Sequence, residues 1–361
     1  MRKHFLLIMT IIMILAATLL TACGSTEGNT NNDNDVTQVT TITDMAGREV
    51  AVPANIEKVY TSGQASTIML YCLDPDKLLG WNYELNDLEK AFILEEYHDL
   101  TVYGMGDSVN YEAIIADGPQ LVVTAGKLDE NAIADADALQ EQLGIPVFML
   151  SGDLQDSAAA FRLFGQIIGN EEAGNALADY ADKTFAWLDE AVAAIPEDAK
   201  VTVYYGNGEN SLNTAAAGST SSQVLEMVGA VNVADLEAGS GNRMDISKEQ
   251  ILAWDPQVVI LNGEPKQDFT ANMAVESFMA DPDFANVTAV KNGQVYGSPK
   301  APFSWIDRPP GPNRLIGLYW AFATIYPDYA DFDLDATIRE FYQLFYHTDL
   351  TDEQMELLLN A

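Results

Sequence analysis

The chain has 361 residues, 48% of them hydrophobic, and carries 54 acidic against 18 basic residues, which gives a formal net charge of −36 at pH 7. So negative a chain is poorly suited to bind nucleic acid or an anionic lipid surface. Its length is sufficient for two domains or for one bilobal unit.

The N-terminus has the layout of a secretory signal. Arg2 and Lys3 precede an almost unbroken apolar run that ends at Leu20, and small residues then lead into Cys23. Because the apolar run is short, it predicts a cleaved signal peptide over residues 1–22 rather than a spanning helix. The sequence before Cys23 resembles the lipobox of bacterial lipoproteins. This implies that Cys23 is lipidated and holds an extracytoplasmic protein at the bacterial cell membrane; an ordinary signal with an incidental cysteine is the alternative.

The segment after Cys23 has almost nothing to bury. Residues 23–40 are rich in Asn, Gly, Ser, Thr and Asp, which predicts a flexible tether. Alternating runs at 41–43 and 48–52 flank a Gly-containing turn and predict a β-hairpin. Strand and helix patterns then alternate, with strands expected at 59–61, 79–81, 121–124 and 147–150. The alternation predicts a parallel sheet with helices on both faces, as an N-terminal α/β lobe over residues 41–168.

The pattern changes after Leu150. Helical sequence dominates, and its run from Glu171 to Ile195 is long enough to cross between lobes, so residues 169–197 are interpreted as a linking helix. Alternation resumes in residues 198–361, interpreted as a C-terminal α/β lobe with three terminal helices. Strands are expected there at 201–205, 258–261 and 294–296, and the terminal helices at 312–325, 336–345 and 351–359. The predicted fold class is therefore α/β, with two Rossmann-like lobes, parallel-rich central sheets and one long joining helix.

An internal repeat connects the two halves. The segment from Tyr111 to Val123 matches the segment from Lys248 to Ile260, each reading as a helix, a Pro-containing turn and an apolar strand. Glu112 and Glu249 occupy the same place near the start of the two helices. Chance similarity of two αβ units is the alternative; we interpret the match as two lobes built to one plan.

These features together resemble the class III periplasmic binding proteins, which serve ABC importers for siderophores, haem, corrinoids and some oxyanions. The resemblance runs from about Thr41 to the C-terminus and rests on the entry hairpin, the two Glu-bearing units, the single long helix and the segment from Asp281 to Tyr296. It implies that Glu112 and Glu249 dock on the importer permease. Plain helix N-terminal charge is the alternative reading of these glutamates.

In a bilobal α/β protein the ligand is expected between the lobes, at loops that leave strand ends. Several such loops supply candidate ligand contacts: Ser62, Gly63 and Gln64 at a helix start, Tyr103 in a Gly-containing loop, Tyr205 and Asn207 at the end of a strand, and Trp305 and Arg308 in a Pro-rich loop. Trp305 offers stacking and Arg308 a fork of hydrogen-bond donors. For Asp307, an ion pair with Arg308 and a ligand contact are weighed equally.

Metal capture by the chain itself is not expected. The histidines His4, His98 and His347 are isolated, and zinc or manganese would need clustered imidazoles and carboxylates. Cys72 lies in an apolar run and is interpreted as a buried, inert thiol. No cofactor or metal site is assigned. The expected ligand is a metal complex of the siderophore, haem or corrinoid type, with an oxyanion such as molybdate or tungstate as the alternative.

The expected role is thus a monomeric, non-enzymatic solute-binding lipoprotein with an ABC permease as partner. An extracytoplasmic enzyme and a surface sensor remain the alternatives on the same fold. Against an enzyme stands the lack of a Gly-x-Ser-x-Gly elbow, of a histidine base in a motif and of a phosphate loop. A sensor would be expected to lack glutamates that face a permease.

Overall fold

The computed structural model describes residues 39–236, 243–263 and 269–359. The predicted signal peptide, Cys23 and nearly all of the predicted tether lie outside these residues. The first element is an antiparallel hairpin of β1 (Val39–Thr43) and β2 (Glu49–Pro53), so ordered structure begins within the segment expected to be a tether. In the turn, Asp44 accepts hydrogen bonds from the main chain of Ala46 and Arg48 and pairs with the Arg48 guanidinium at 2.9 Å.

The N-terminal sheet has three strands, β3 (Val59–Thr61), β4 (Leu121–Gly126) and β5 (Val147–Ser151), all parallel and in that order. The strand expected at 79–81 is wrong. Only isolated bridges form there, Val59 with Leu78 and Trp81 with Val102. The carbonyl oxygen of Thr101 lies 2.1 Å from where a Cβ on Gly80 would stand, so this crossing requires glycine.

The second sheet is mixed. Its strands are β6 (Thr202–Asn207), β7 (Asn213–Ala215), β8 (Val231–Asn232), β9 (Arg243–Asp245), β10 (Val258–Leu261) and β11 (Val295–Gly297). Their order is β11-β10-β6-β7-β9, with β8 also paired to β6. The strands β6, β8, β10 and β11 are parallel, while β7 runs antiparallel to β6 and β9. The predicted apolar runs in β6 and β10 are largely buried.

Helices cover both sheets. They comprise Gln64–Leu73, Asp87–Lys90, Tyr111–Asp117, Glu130–Leu143, Ser157–Ile168, Glu171–Ala193, Gln223–Met227, Lys248–Trp254, Ala271–Ala280, Thr288–Lys291, Asn313–Ile325, Leu334–Tyr346 and Asp352–Leu359. The expected long helix is Glu171–Ala193, 23 residues or about 35 Å, and it ends just before Pro196. In the described part of the chain, no helix combines the length and apolarity needed to cross a bilayer.

The last helices return to the start of the fold. Helix Leu334–Tyr346 packs on helix Gln64–Leu73, and its Phe345 ring lies 5.8 Å from the ring of Phe161. The Gln354 side chain donates to the main-chain oxygen of Ala91 at 2.7 Å. The last two of the three terminal helices, which the sequence grouped with the C-terminal lobe, therefore complete the core beside the N-terminal sheet. The predicted domain limits themselves stay a prediction.

Candidate ligand cleft

The carboxyl end of β3 opens directly into helix Gln64–Leu73. Gly63 is the N-cap residue, extended at φ −165°, and no side chain caps the first turn. Ser62, Gly63 and Gln64 are partly exposed. The main-chain N–H groups of an uncapped first turn have no intrahelical partner and are suited to an anion. Ser62 also borders a cavity of about 190 Å³ that Thr124 and Lys127 help to line.

A buried polar network supports this loop. Thr67 Oγ1 donates to Asn82 Oδ1 at 2.6 Å, Asn82 Nδ2 donates to the main-chain oxygen of Thr61 at 3.0 Å, and the hydroxyls of Thr61 and Thr67 are 2.6 Å apart. All three residues are buried. Both ends of the Asn82 amide are thus satisfied, so this network fixes the loop and offers no spare group to a ligand.

A second polar network crosses the carboxyl ends of β6, β10 and β11. Asn262 Nδ2 donates to Asn207 Oδ1 at 3.0 Å, and Ser298 Oγ donates to Asn262 Oδ1 at 3.0 Å. The three residues are at most 5% exposed. Asn207 Nδ2, however, has no hydrogen-bond partner among the residues that the structure describes. A buried donor without a partner is costly, so this end of the network is a good candidate for a ligand contact.

Charged groups gather around the Tyr205 ring on the same side. Arg243 donates through Nη2 and Nε to Asp307 Oδ2, at 2.5 and 3.2 Å, and the Asp307 side chain is fully buried. Burial raises the pKa of Tyr205 well above its ordinary value; the charge of Asp307 raises it further, while Arg243 and Arg308 act in the opposite direction. Arg243, Asp307 and Arg308 therefore share one electrostatic environment.

Arg308 itself is exposed. Its main-chain N–H donates to Asp307 Oδ1 at 2.6 Å, whereas its guanidinium makes no ion pair with any residue in the described ranges. The expected Asp307–Arg308 side-chain pair is thus replaced by an Asp307–Arg243 pair, which the sequence analysis missed. The guanidinium of Arg308 remains accessible, as its predicted role requires.

A third arginine joins the two sides of the cleft. Arg314, at the start of helix Asn313–Ile325, donates through Nη2 to the main-chain oxygen of Gly152 at 2.7 Å and through Nη1 to Gln223 Oε1 at 3.1 Å. Gln223 Nε2 donates in turn to Asp153 Oδ1 at 2.9 Å. Burial lowers the pKa of Arg314 to about 10, and the charges of Asp153 and Asp307 partly offset this. Neither Arg314 nor Gln223 is among the ligand contacts predicted from the sequence.

Trp305 requires a correction. It is fully buried and packs on Tyr342, with its Nε1 donating to the Tyr342 hydroxyl at 3.3 Å. Its ring therefore belongs to the core and has no face open for a ligand to stack on. Tyr103, also assigned to the ligand, is 2% exposed, stands edge-on to Tyr60 and donates its hydroxyl to Asp117 Oδ2 at 2.6 Å. It is a packing residue of the N-terminal sheet.

The repeated glutamates occupy equivalent exposed positions. Glu112 lies in the first turn of helix Tyr111–Asp117, capped by Asn110, and Glu249 in the first turn of helix Lys248–Trp254, capped by Ser247. Main-chain and Ser247 hydrogen bonds lower the pKa of Glu249. One turn later each helix exposes an apolar side chain, Ile115 at 50% and Leu252 at 41%. The sequence repeat is therefore also a repeat of surface chemistry.

Comparisons with known proteins agree with this architecture. Residues 71–302 match the model of a family described as periplasmic binding protein. The molybdate-binding protein MolA of Haemophilus influenzae is 25% identical over 335 residues, which cover 85% of this chain and 91% of that protein.

Solved structures give the same result. An ABC transporter solute binding protein from Sulfurospirillum deleyianum is 28% identical and superposes with a TM-score of 0.79, covering 89% of this chain and 99% of that one. MolA bound to molybdate superposes with a TM-score of 0.67 and is 23% identical, covering 86% of this chain and 99% of that one. The chain therefore belongs to the periplasmic binding protein family, has the class III fold and is a solute-binding protein of an ABC transporter.

Proposed function

We propose that this protein delivers a small oxyanion, of the molybdate or tungstate type, to its importer. The observation that carries the proposal is the distribution of charge. In a chain of net charge −36, three of the seven arginines relate to one buried carboxylate: Arg243 pairs with Asp307, Arg308 follows it in the chain, and the charge of Asp307 acts on Arg314. Such a local excess of cations inside an anionic protein favours an anionic ligand.

The donor groups suit a compact anion. The first turn of helix Gln64–Leu73, Asn207 Nδ2 and the Arg308 guanidinium are all hydrogen-bond donors without an acceptor among the described residues. Trp305, the side chain expected to stack on a flat ligand, is buried in the core, as are the aromatic candidates Tyr103 and Tyr205. The similarity to a molybdate-binding protein points to the same ligand class.

An anionic metal complex is the second candidate, and sequence reasoning placed it first. The observation in its favour is Arg308, since an exposed guanidinium is able to contact a ligand larger than a tetrahedral oxyanion. In either case the chain needs no metal ligands of its own.

Calorimetric titration separates the two candidates. Wild type, Arg308→Ala and Trp305→Phe would each be titrated with molybdate, tungstate, sulfate, a ferric siderophore, haem and cobalamin. We expect molybdate or tungstate to bind, and Arg308→Ala to weaken binding about ten- to hundredfold, or about 1.5–3 kcal/mol. Trp305→Phe should lower the melting temperature and leave affinity nearly unchanged. Binding of a metal complex with no response to either oxyanion would overturn the oxyanion assignment.

We further infer that Glu112 with Ile115, and Glu249 with Leu252, form two equivalent docking patches for the permease. Each patch offers a carboxylate and an apolar side chain on neighbouring turns, which suits a basic residue beside an apolar socket. Glu112→Ala with Glu249→Ala should abolish uptake and leave ligand affinity intact. Glu141→Ala, an exposed glutamate on helix Glu130–Leu143, is the control and should leave uptake unchanged. Wild-type uptake by the double variant would contradict the docking role.

The membrane anchor belongs to the same proposal. Cys23 lies outside the described residues, and its lipidation rests on the sequence before it. Cys23→Ala should release the protein into the medium or leave it unprocessed, because this is the membrane attachment that the sequence indicates. Radiolabelled fatty acid still present on the variant would contradict the assignment.

A further inference from the structure

The charge of Arg314 is unusual for a buried group. The residue is 2% exposed, yet its guanidinium has no carboxylate within 4.0 Å in the described part of the chain. Its hydrogen bonds go to neutral acceptors, the main-chain oxygens of Gly152 and Gly311 and the amide oxygen of Gln223. These bonds give each guanidinium nitrogen an acceptor but bring no opposite charge into contact. A buried cation without an ion-pair partner is costly, so a bound anion nearby would be favoured.

The partners of Arg314 come from both sides of the cleft. Gly152 and Asp153 follow β5 of the N-terminal sheet, whereas Gln223 is the first residue of helix Gln223–Met227 and Arg314 the second residue of helix Asn313–Ile325. Arg314 to Gly152, and Arg314 through Gln223 to Asp153, are two hydrogen-bonded connections between the sides. We call these four residues the interlobe latch.

We propose that Arg314 is a positioning residue, which fixes the spacing of the two cleft walls and lends its uncancelled charge to the bound anion. The second part rests on the proposed oxyanion function. Asp153 and Asp307 are the carboxylates whose charges act on Arg314, and both do so from beyond ion-pair distance. A bound anion lowers the cost of burying the guanidinium. By linkage, the latch contacts strengthen anion binding by the same free energy by which the bound anion stabilises the latch contacts.

Two substitutions at Gln223 separate spacing from charge. Gln223→Ala removes the bridge to Asp153 and leaves the Arg314 charge as it is. Gln223→Glu also loses the Nε2 donor to Asp153, but it keeps an acceptor for Arg314 and pairs the guanidinium with a carboxylate. The difference between the two variants therefore reports the charge. Gln155→Glu is the matched control, because Gln155 is exposed and lies three residues from Gly152.

The spacing is measured on the ligand-free protein. Spin labels at Glu141→Cys and Glu276→Cys, in the mature chain carrying Cys23→Ser, report the distance between helices Glu130–Leu143 and Ala271–Ala280; Cys72 is buried and stays unlabelled. We expect one narrow distance distribution for wild type and Gln155→Glu, and a broadened or shifted one for Gln223→Ala. An unchanged distribution for Gln223→Ala would overturn the positioning role.

The charge is measured by calorimetric titration with sodium molybdate. Gln223→Glu should bind at least about tenfold more weakly than Gln223→Ala, with Gln155→Glu near wild type and Arg314→Lys retaining more affinity than Arg314→Gln. Equal affinities of Gln223→Glu and Gln223→Ala would overturn the charge role. Wild type that does not bind molybdate would overturn the oxyanion function together with the charge role, whereas the distance measurement decides the positioning role independently.

Discussion

The two walls of the cleft use the same residue type in different ways. Each wall has a buried asparagine behind the loops that leave its parallel strands, Asn82 on one side and Asn207 on the other. The amide of Asn82 is satisfied at both ends by Thr67 and Thr61, whereas Asn207 Nδ2 has no partner within residues 39–236, 243–263 and 269–359. The arginines also lie on the Asn207 side. The first wall is thus built as a support, and the second carries the groups left available for a ligand.

The largest expected effect on stability comes from the wall that carries Asn207 and the arginines. Arg243→Ala leaves the buried Asp307 carboxylate without its guanidinium partner, so the free energy of unfolding should fall by about 3–5 kcal/mol in urea titrations. Arg162→Ala is the control, since Arg162 pairs with Asp179 and Asp182 at the surface and should cost less than about 1 kcal/mol. Equal losses in the two variants would show that the buried pair carries no special weight.

The supporting wall should respond in stability alone. Asn82→Ala removes the donor to the Thr61 carbonyl and one of the partners of the Thr67 hydroxyl, which can still donate to the Gly63 main-chain oxygen. The change should cost about 1–3 kcal/mol of unfolding free energy. Because no atom of Asn82 is spare, molybdate affinity measured under stabilising conditions should stay within a factor of about two. A large loss of affinity in a fully folded variant would make this wall part of the binding surface.

Asn207 should give the opposite pattern. Asn207→Asp preserves the acceptor for Asn262 but replaces the free donor with a carboxylate oxygen, so molybdate affinity should fall at least about tenfold, with a smaller effect on melting temperature than Asn82→Ala. Asn210→Asp is the control: it makes the same charge change at an exposed position and keeps the cap on the Leu212 N–H. If molybdate affinity fell equally in both variants, the loss would reflect general repulsion between the added carboxylate and the anion, not the loss of the Asn207 donor.

The smallest effect on stability is expected at Glu89. Its carboxylate accepts hydrogen bonds from the Tyr83 hydroxyl and the Asn86 N–H. Burial raises the pKa of Glu89. Between the ordinary pKa of the unfolded chain and the higher folded pKa, the folded state binds more protons, so this group's contribution to stability falls as pH rises through that window. Glu89→Gln should flatten the dependence of melting temperature on pH there. A steeper dependence in the variant would contradict the sign.

Much of the fold could be predicted from local sequence patterns. The entry hairpin, the alternation of strands and helices, and the helix ending before Pro196 follow from apolar periodicity and turn residues within short windows. The repeat that placed Glu112 and Glu249 could likewise be recognised in the chain. Trp305 could not be placed in this way, because its packing partner Tyr342 lies 37 residues later on a helix whose location no local pattern gives.

The residues of the candidate cleft that were not predicted from the sequence share this cause. Arg314 hydrogen-bonds Gln223 and Gly152, which are 91 and 162 residues away in the chain, and Asn262 reaches Asn207 across 55 residues. No spacing rule connects such positions. The signal that was available is composition. Because so acidic a chain has only seven arginines, each of them was a candidate for contact with an anionic ligand.

The return of the C-terminal helices has a consequence for how the chain folds. His347 contacts the main chain of Tyr71 and Gln354 that of Ala91, contacts that span 276 and 263 residues. Tyr71, Phe161 and Tyr180 are buried with the help of residues from helix Leu334–Tyr346. A nascent chain therefore cannot complete its first core until its last segment has been synthesised. Contacts of such high sequence separation slow folding, so the completed chain should remain expanded for longer than one whose core closes through local contacts.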